Sequence, residues 1–423
     1  MKLDIGKYVD RRIECSCGHT HYCPISNVVV ESGALESLPA LMAPYNKIVL
    51  VADTNTWATC GEKVESLLSG KIANKLVYVR DGLLVPDEHA VAELSAAMPA
   101  DCDFVVGIGS GVINDICKYV TFEKKMDYAI IATAPSMDGY ASSGAAMIMY
   151  GMKITYTTHP PKMIVADIDI LKNAPMDMIR AGYGDIIGKY SALNDWRLSK
   201  LINDEYFCQE IYDLVMDVTN NIRDMVAGIV AREDAAIEYL TKALVLIGVT
   251  LSLLGSTRPG SGSEHHLSHF FEIVGLIHDQ PYFLHGTDVA YSTVVTAGMR
   301  EEIVKLEKPV FTAVPREQRL AAYDRIFGSF AGEVKKIQDD AGSYERDLTP
   351  AYTEKWNEIV EILAECPTAQ QITDMFTAAG FPMEAFEEMY GKEKIRDASF
   401  YGKDLKDRYS VLWLYYALFG RAG

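Results

Sequence analysis

The sequence predicts an α/β domain built on a parallel sheet over residues 1–172, followed by an all-helical domain over residues 173–423. Three observations predict this. Short β-rich runs alternate with helix-length segments through the first part of the chain. From Asn173 onward the apolar spacing is helical. With 423 residues, 49% hydrophobic and 23% charged, the chain has the size and composition of a globular protein of two or three domains.

The N-terminal MKLDIGKYVDRRIECSCG has no apolar run of the kind that directs secretion, so cytoplasmic residence is expected. CSCGHTHYC (15–23) offers zinc-type ligands in Cys15, Cys17, His19, His21 and Cys23. It lacks the C-x2-C spacing and a second ligand pair nearby in sequence, so a period-2 strand and turn with incidental thiols is expected. The runs KIVLVAD (47–53), KLVYVRD (75–81), DFVVGIG (103–109) and YAIIATAP (128–135) read as strands, separated by enough residues for crossover helices. The stretch from Ala145 to Leu171 reads as a hairpin turning at Tyr150-Gly151, then another strand. Pro175 opens the helical half. Within it, the apolar run Ala243–Gly255 lies between Lys242 and Arg258 and is shorter than the roughly 18 residues a membrane span needs. A buried core helix is expected there, with no membrane insertion. The section from Lys305 to Ala351, punctuated by Pro and Gly, is the least regular part of this half.

Charge narrows the function. Forty Lys+Arg against 58 Asp+Glu give −18 with no basic run, which excludes an electrostatic footprint for nucleic acid or an anionic membrane. Eight cysteines, scattered after the first three, suit thiols in a reducing compartment.

Three segments suggest a dinucleotide. Gly107-Ile108-Gly109-Ser110-Gly111 joins a strand to a helix, an arrangement that aims backbone N–H groups and a helix dipole at a phosphate. The pattern departs from G-x-G-x-x-G and follows a later strand, so by itself a tight turn needing glycine for positive φ is the favoured reading, and the two segments that follow raise the odds of a dinucleotide. Asp53 ends the first clear strand, placed for a ribose or as an N-cap. TAPSMDGYASS (133–143) supplies hydroxyls at Thr133, Ser136 and Ser142, either to a cofactor or to its own loop.

Histidines suggest a metal. Five of nine stand at 265, 266, 269, 278 and 285. His265 and His269 share a helix face, and His285 opens a later helical pattern. Two imidazoles from separate elements and a carboxylate, for which Asp185 is the candidate, make a three-ligand divalent site with open positions. His266 and His278 are expected to be ordinary hydrogen-bonded residues.

In GIGSGVINDICKY, TAPSMDGYASSGAA, GYGDIIGKYSALNDW, RPGSGSEHHLSH and LHGTDVA, the chain resembles the glycerol-1-phosphate dehydrogenases, its bacterial members foremost. That family lies among the iron-containing alcohol dehydrogenases, glycerol dehydrogenases and dehydroquinate synthases. The resemblance implies a dehydroquinate-synthase-like fold with a Rossmann-like N-terminal domain, and NAD(P)H-dependent, reversible reduction of dihydroxyacetone phosphate to sn-glycerol 1-phosphate. It implies a role in phospholipid biosynthesis, a homodimer, and no partner beyond the small-molecule substrate. Gly111, Val112, Ile113, Asn114 and Asp115 would hold the NAD(P) pyrophosphate. Thr133, Ala134, Pro135, Ser136 and Ser142 would line the cofactor, and Asp53 would meet the adenosine ribose, favouring NAD(H) over NADP(H). Asp138 would contact substrate. Asp185, His265 and His285 would bind one divalent metal, zinc with nickel or iron as alternatives. Asp185 would also touch substrate, and His269 would contact substrate and relay a proton. Lys189, Arg258 and Lys162 are the guesses for the substrate phosphate.

The iron-type alcohol dehydrogenases carry a second metal histidine four residues after the aspartate, where this chain has Lys189, so three protein ligands are expected. Dehydroquinate synthases use Glu-x-x-Lys, which Asp185-x3-Lys189 does not match either. The competing expectations are a metal-dependent glycerol or polyol dehydrogenase, a dehydroquinate-synthase-like cyclase, and a binding protein without turnover.

Overall fold

The computed structural model describes residues 3–150, 152–312 and 314–420. Two antiparallel hairpins, β1 (Arg12–Glu14) with β2 (Thr20–Tyr22) and β8 (Gly144–Met149) with β9 (Met152–Thr157), flank a central sheet. That sheet contains β3 (Asn27–Glu31), β4 (Ile48–Asp53), β5 (Ile72–Tyr78), β6 (Phe104–Gly109), β7 (Tyr128–Ala132) and β10 (Met163–Asp167). Its order is β3-β10-β7-β6-β4-β5, and every pairing is parallel. The inner strands β6, β7 and β10 are buried along their whole length, as unbroken apolar runs between two helical layers should be.

Two details depart from expectation. β5 begins at Ile72 and ends at Tyr78, three residues earlier than the run KLVYVRD suggests. It is an edge strand with only one end buried, so hydrophobicity marks it poorly. β3 was not anticipated, and it pairs with β10 to close the opposite edge. Of the turn expected at Tyr150-Gly151, Tyr150 adopts φ 53° and Gly151 lies outside the described residues.

The helices that matter below are α1 (Gly111–Glu123), α2 (Met176–Ile187), α3 (Lys189–Asn203), α4 (Asp234–Leu254), α5 (Ser263–His278) and α6 (His285–Val304). The chain forms two compact units, one of residues 1–183 and 224–256, the other of residues 184–223 and 257–423. This differs from a single cut at 172/173 because α4 returns to the α/β unit. Leu240, Leu244, Val245, Leu246, Ile247 and Val249 on α4 are fully buried, each worth about 1.5–3 kcal/mol of burial, so the helix must be enclosed. It packs on β2, β3, the 3-10 turn Gly139–Ala141 and the helix Ile168–Leu171. At 21 residues it is longer than its apolar run, and by length and composition alone it would pass for a membrane span. With 78% of its most apolar window buried in the protein, it is a core helix. Among the described residues, the regular structure of the second unit is all helical, and the section from Lys305 to Ala351 includes helices Arg316–Phe327 and Ala331–Ala341.

Candidate active site

In the α/β unit, β4 and β6 lie side by side, and the chain leaves them towards opposite edges of the sheet. That is a topological switch point, where parallel sheets open a crevice at the C-terminal ends of their strands. Asp53 ends β4, Gly109 ends β6, and Thr133 follows β7. Ser110 precedes α1 without making a side-chain cap, and the first intrahelical bond runs from the Asn114 N–H to the Ser110 carbonyl at 2.9 Å. The first-turn N–H groups of Gly111, Val112 and Ile113 are thus left for an anion.

The expected positive φ is not the reason for the glycines: Gly107, Gly109 and Gly111 are all outside that region. The demand is for space. A Cβ on Gly109 would lie 2.6 Å from the Ile113 Cβ, so only glycine lets α1 pack this closely on β6.

Several residues expected around the cofactor also build the crevice. Asp53 caps the turn Thr54–Thr56, its Oδ1 accepting from the Thr56 N–H at 2.8 Å while its own N–H donates to Thr56 Oγ1 at 3.0 Å. Asn114 is buried, accepting from the Tyr128 hydroxyl at 3.0 Å and donating to the Gly139 carbonyl at 3.3 Å. Buried Lys118, which the sequence did not single out, donates to the Gly144 carbonyl at 2.7 Å and the Gly139 carbonyl at 3.2 Å. It also reaches Ser142 Oγ and Asp115 Oδ1, each at 3.4 Å. Burial holds its ammonium below the ordinary lysine range, and the Asp115 carboxylate opposes that shift. Ser142 Oγ donates to the Gly139 carbonyl at 3.1 Å. The Thr133 N–H is tied to the Gly109 carbonyl at 3.1 Å and Ala134 accepts from the Tyr140 hydroxyl at 2.7 Å. Pro135 and Ser136 are buried, and Asp138, half-buried, precedes the turn Gly139–Ala141.

In the helical unit, Asp185, His265 and His285 each bring one ligand atom within 4.8 Å of the others. Asp185 sits near the end of α2, His265 in the first turn of α5, and His285 opens α6. Asp195, fully buried on α3, accepts from the Ser263 N–H at 2.6 Å and pairs with buried Arg300 at 2.9 Å, which fixes where α5 begins. Glu264, like Lys118, is a residue that sequence reasoning missed. Its Oε1 accepts from the Gly262 N–H at 2.8 Å and meets His265 Nδ1 at 2.7 Å. A carboxylate there keeps the proton on Nδ1 and turns Nε2, 3.7 Å from Asp185 Oδ1, towards the centre. Its position directly before His265 was the available signal. Ser268 Oγ stands 3.4 Å from His285 Nδ1. The His269 ring centroid is 6.3 Å from that of His265 and 5.6 Å from that of His285, so it adjoins the cluster.

A donor set of two imidazoles and a carboxylate, with one imidazole oriented from behind, suits a divalent ion of the zinc or nickel kind. Lys189 is fully buried and donates to Asp185 Oδ1 at 2.7 Å and to the Gly260 carbonyl at 2.9 Å. It replaces a would-be fourth ligand with a cation that neutralises the aspartate. Arg258, the second guess for a phosphate cation, is also engaged within the protein, by the Glu205 carboxylate and the Tyr409 carbonyl. Lys162 lies half-buried in the other unit. His278 is an ordinary hydrogen-bonded residue, meeting the Ile326 carbonyl at 2.8 Å. His266 departs from that expectation: it is buried, neither ring nitrogen has a hydrogen-bond partner among the described residues, and burial pushes its pKa well down.

Residues 29–175 match the iron-containing alcohol dehydrogenase family. A glycerol-1-phosphate dehydrogenase [NAD(P)+] from Halalkalibacterium halodurans is 33% identical over 293 residues, 68% of this chain and 73% of that protein. One from Bacillus licheniformis is 27% identical over 417 residues, 97% of this chain and 94% of that protein. Among solved structures, glycerol dehydrogenase from Schizosaccharomyces pombe superimposes with a TM-score of 0.54 at 18% identity, covering 87% of this chain and 92% of that one.

Proposed function

The chain belongs to the glycerol-1-phosphate dehydrogenases, and from that premise we propose how its residues reduce dihydroxyacetone phosphate to sn-glycerol 1-phosphate with NAD(P)H. The observation that carries the proposal is the convergence of Asp185, His265 and His285, with Glu264 behind His265. When bound, a divalent ion supplies Lewis-acid polarisation of the C2 carbonyl, and the reduced nicotinamide supplies the hydride. Asp185, His265 and His285 hold the ion, which we take to be zinc, with nickel and iron as the alternatives.

Glu264 fixes the His265 tautomer so that Nε2 is the ligand atom. Lys189 balances the Asp185 charge and holds the carboxylate in place. His269, one turn beyond His265, contacts substrate and delivers the proton that the product alkoxide needs. Asp138 and Asp185 orient the substrate. In the other unit, Gly111, Val112 and Ile113 present backbone N–H groups to the cofactor pyrophosphate, while Asn114, Asp115 and Lys118 hold the loop that lines it. Thr133, Ala134, Pro135, Ser136 and Ser142 form that lining. Asp53 uses one carboxylate oxygen in its cap and offers the other to the adenosine ribose, which favours NAD(H) over NADP(H). A homodimer in the cytoplasm, serving phospholipid biosynthesis, completes the reading.

The test is NADH oxidation by chelator-stripped protein, alone and after adding zinc, nickel or iron, with dihydroxyacetone phosphate and with dihydroxyacetone. Metal-dependent turnover of the phosphate ester, with little on the unphosphorylated ketone, is expected. Equal turnover of both ketones points instead to a glycerol dehydrogenase. No turnover with any metal overturns the proposal.

A further inference from the structure

The first hairpin gathers ligands that the reaction does not use. β1 and β2 pair in the register Arg12↔Tyr22, Ile13↔His21 and Glu14↔Thr20. The connection is a tight turn in which the Gly18 N–H donates to the Cys15 carbonyl at 3.0 Å and the Cys15 N–H to the His19 carbonyl at 3.2 Å. Gly18 takes φ 86°, a conformation that glycine adopts without strain. This turn puts Cys15 and Cys17 on one side of the knuckle, and the register brings His21 back beside them. One ligand atom from each of Cys15, Cys17 and His21 lies within 4.8 Å of the others. The sequence expectation of incidental thiols rested on the missing C-x2-C spacing. The fold supplies the convergence that the spacing did not announce.

His21 is prepared for coordination. It is 4% exposed, and its Nδ1 meets the Leu253 carbonyl at 2.9 Å. A carbonyl only accepts, so the proton sits on Nδ1 and Nε2 carries the lone pair. That Nε2 is 3.4 Å from Cys17 Sγ. Two donors on a tetrahedral zinc, at about 2.3 Å for sulfur and about 2.0–2.1 Å for nitrogen, stand roughly 3.6 Å apart. The pair is therefore close to zinc-binding geometry. Cys23 is fully buried in the core and is not part of the converging set. His19 is exposed at the turn and not part of the converging set.

We propose that Cys15, Cys17 and His21 bind a second divalent ion, zinc by donor type, which locks the N-terminal hairpin and ties it through His21 to the end of α4. The ion replaces the thiol–imidazole contact with two thiolate bonds and one imidazole bond, releasing the thiol protons to solvent. This site stands independently of the catalytic reading, since it shares none of its residues.

The experiment measures metal per chain by mass spectrometry in the full-length protein, purified without affinity metals and with thiols reduced. Asp185→Ala removes the catalytic ligand set and is expected to keep about one zinc per chain, released on titration with an organomercurial. Adding Cys17→Ser to that variant is expected to abolish the remaining zinc. Because Cys17→Ser removes a hairpin residue, His21→Cys serves as the conservative control. It is expected to retain the ion and, with cobalt substituted, to strengthen the thiolate-to-metal absorption. If Asp185→Ala takes up no zinc when zinc is supplied, or keeps an ion that Cys17→Ser leaves in place, the site is overturned.

Discussion

The crevice at the ends of β4 and β6 offers the backbone N–H groups of an uncapped helix turn, whereas the cluster on α2, α5 and α6 is made of side chains. The first depends on what is missing: a Cβ at Gly109, a side-chain cap at Ser110. The second depends on charges in balance, with Asp185 facing Lys189 and Glu264 behind His265. Steric requirements of the first kind are met by one residue type and fail in proportion to the atoms added. Electrostatic requirements of the second kind fail when one partner is removed and another is left buried and uncompensated.

The largest effect should come from breaking the charged region. Asp185→Ala or His265→Ala is expected to lose the catalytic metal and to lower kcat/KM by about a thousandfold or more while the fold survives. Circular dichroism and metal analysis of both variants check this, and undiminished metal content at the α2–α5–α6 cluster would show that the ligands are misassigned. Next comes the orienting carboxylate. Glu264→Gln is expected to weaken metal affinity by about 10–100-fold, with activity recovered at excess metal, because it disturbs the His265 tautomer and leaves the ligands in place. A chelator competition series reads the shift directly.

A smaller effect is expected in the crevice. Gly109→Ala puts a Cβ against Ile113 and should raise KM for NAD(P)H by about tenfold, with a stability loss of about 1–3 kcal/mol and unchanged metal content. If metal content falls instead, the separation of backbone and side-chain roles is wrong. The smallest effect concerns His159, which meets Thr121 of α1 at 3.1 Å and packs its ring on Tyr128. Burial lowers its pKa below the ordinary value of 6.5, so the unfolded chain binds the proton more readily. Its contribution to stability is therefore complete above about pH 6.5 and is lost as the pH falls below that. The melting temperature of the wild type should drop between pH 7.5 and 5.5 by about one or two degrees more than that of His159→Gln.

The same contrast explains what could be read from the amino-acid order. Buried parallel strands are unbroken apolar runs, so β4, β6 and β7 were visible, while the edge strands β3 and β5 were missed or misplaced because only part of each is enclosed. His265 and His285 stood out because histidine is scarce and clustered here, Asp185 only through the motif GYGDIIGKY, and the fold does gather the three. Glu264 and Lys118 did not stand out, since a buried carboxylate or ammonium looks like any surface charge until its partners are known. The membership of residues 224–256 was invisible for a similar reason: an apolar helix announces that it will be buried, not against what.

That last feature affects synthesis. The α/β unit is assembled from two stretches, 1–183 and 224–256, with 40 residues of the other unit between them, from 184 through 223. As the chain leaves the ribosome, the sheet can form once β10 has emerged, but the surface that α4 covers stays bare until residue 254 is out. Nascent chains stopped before that point should be clients for chaperones, and a fragment ending at residue 172 should be sticky rather than a portable nucleotide-binding module.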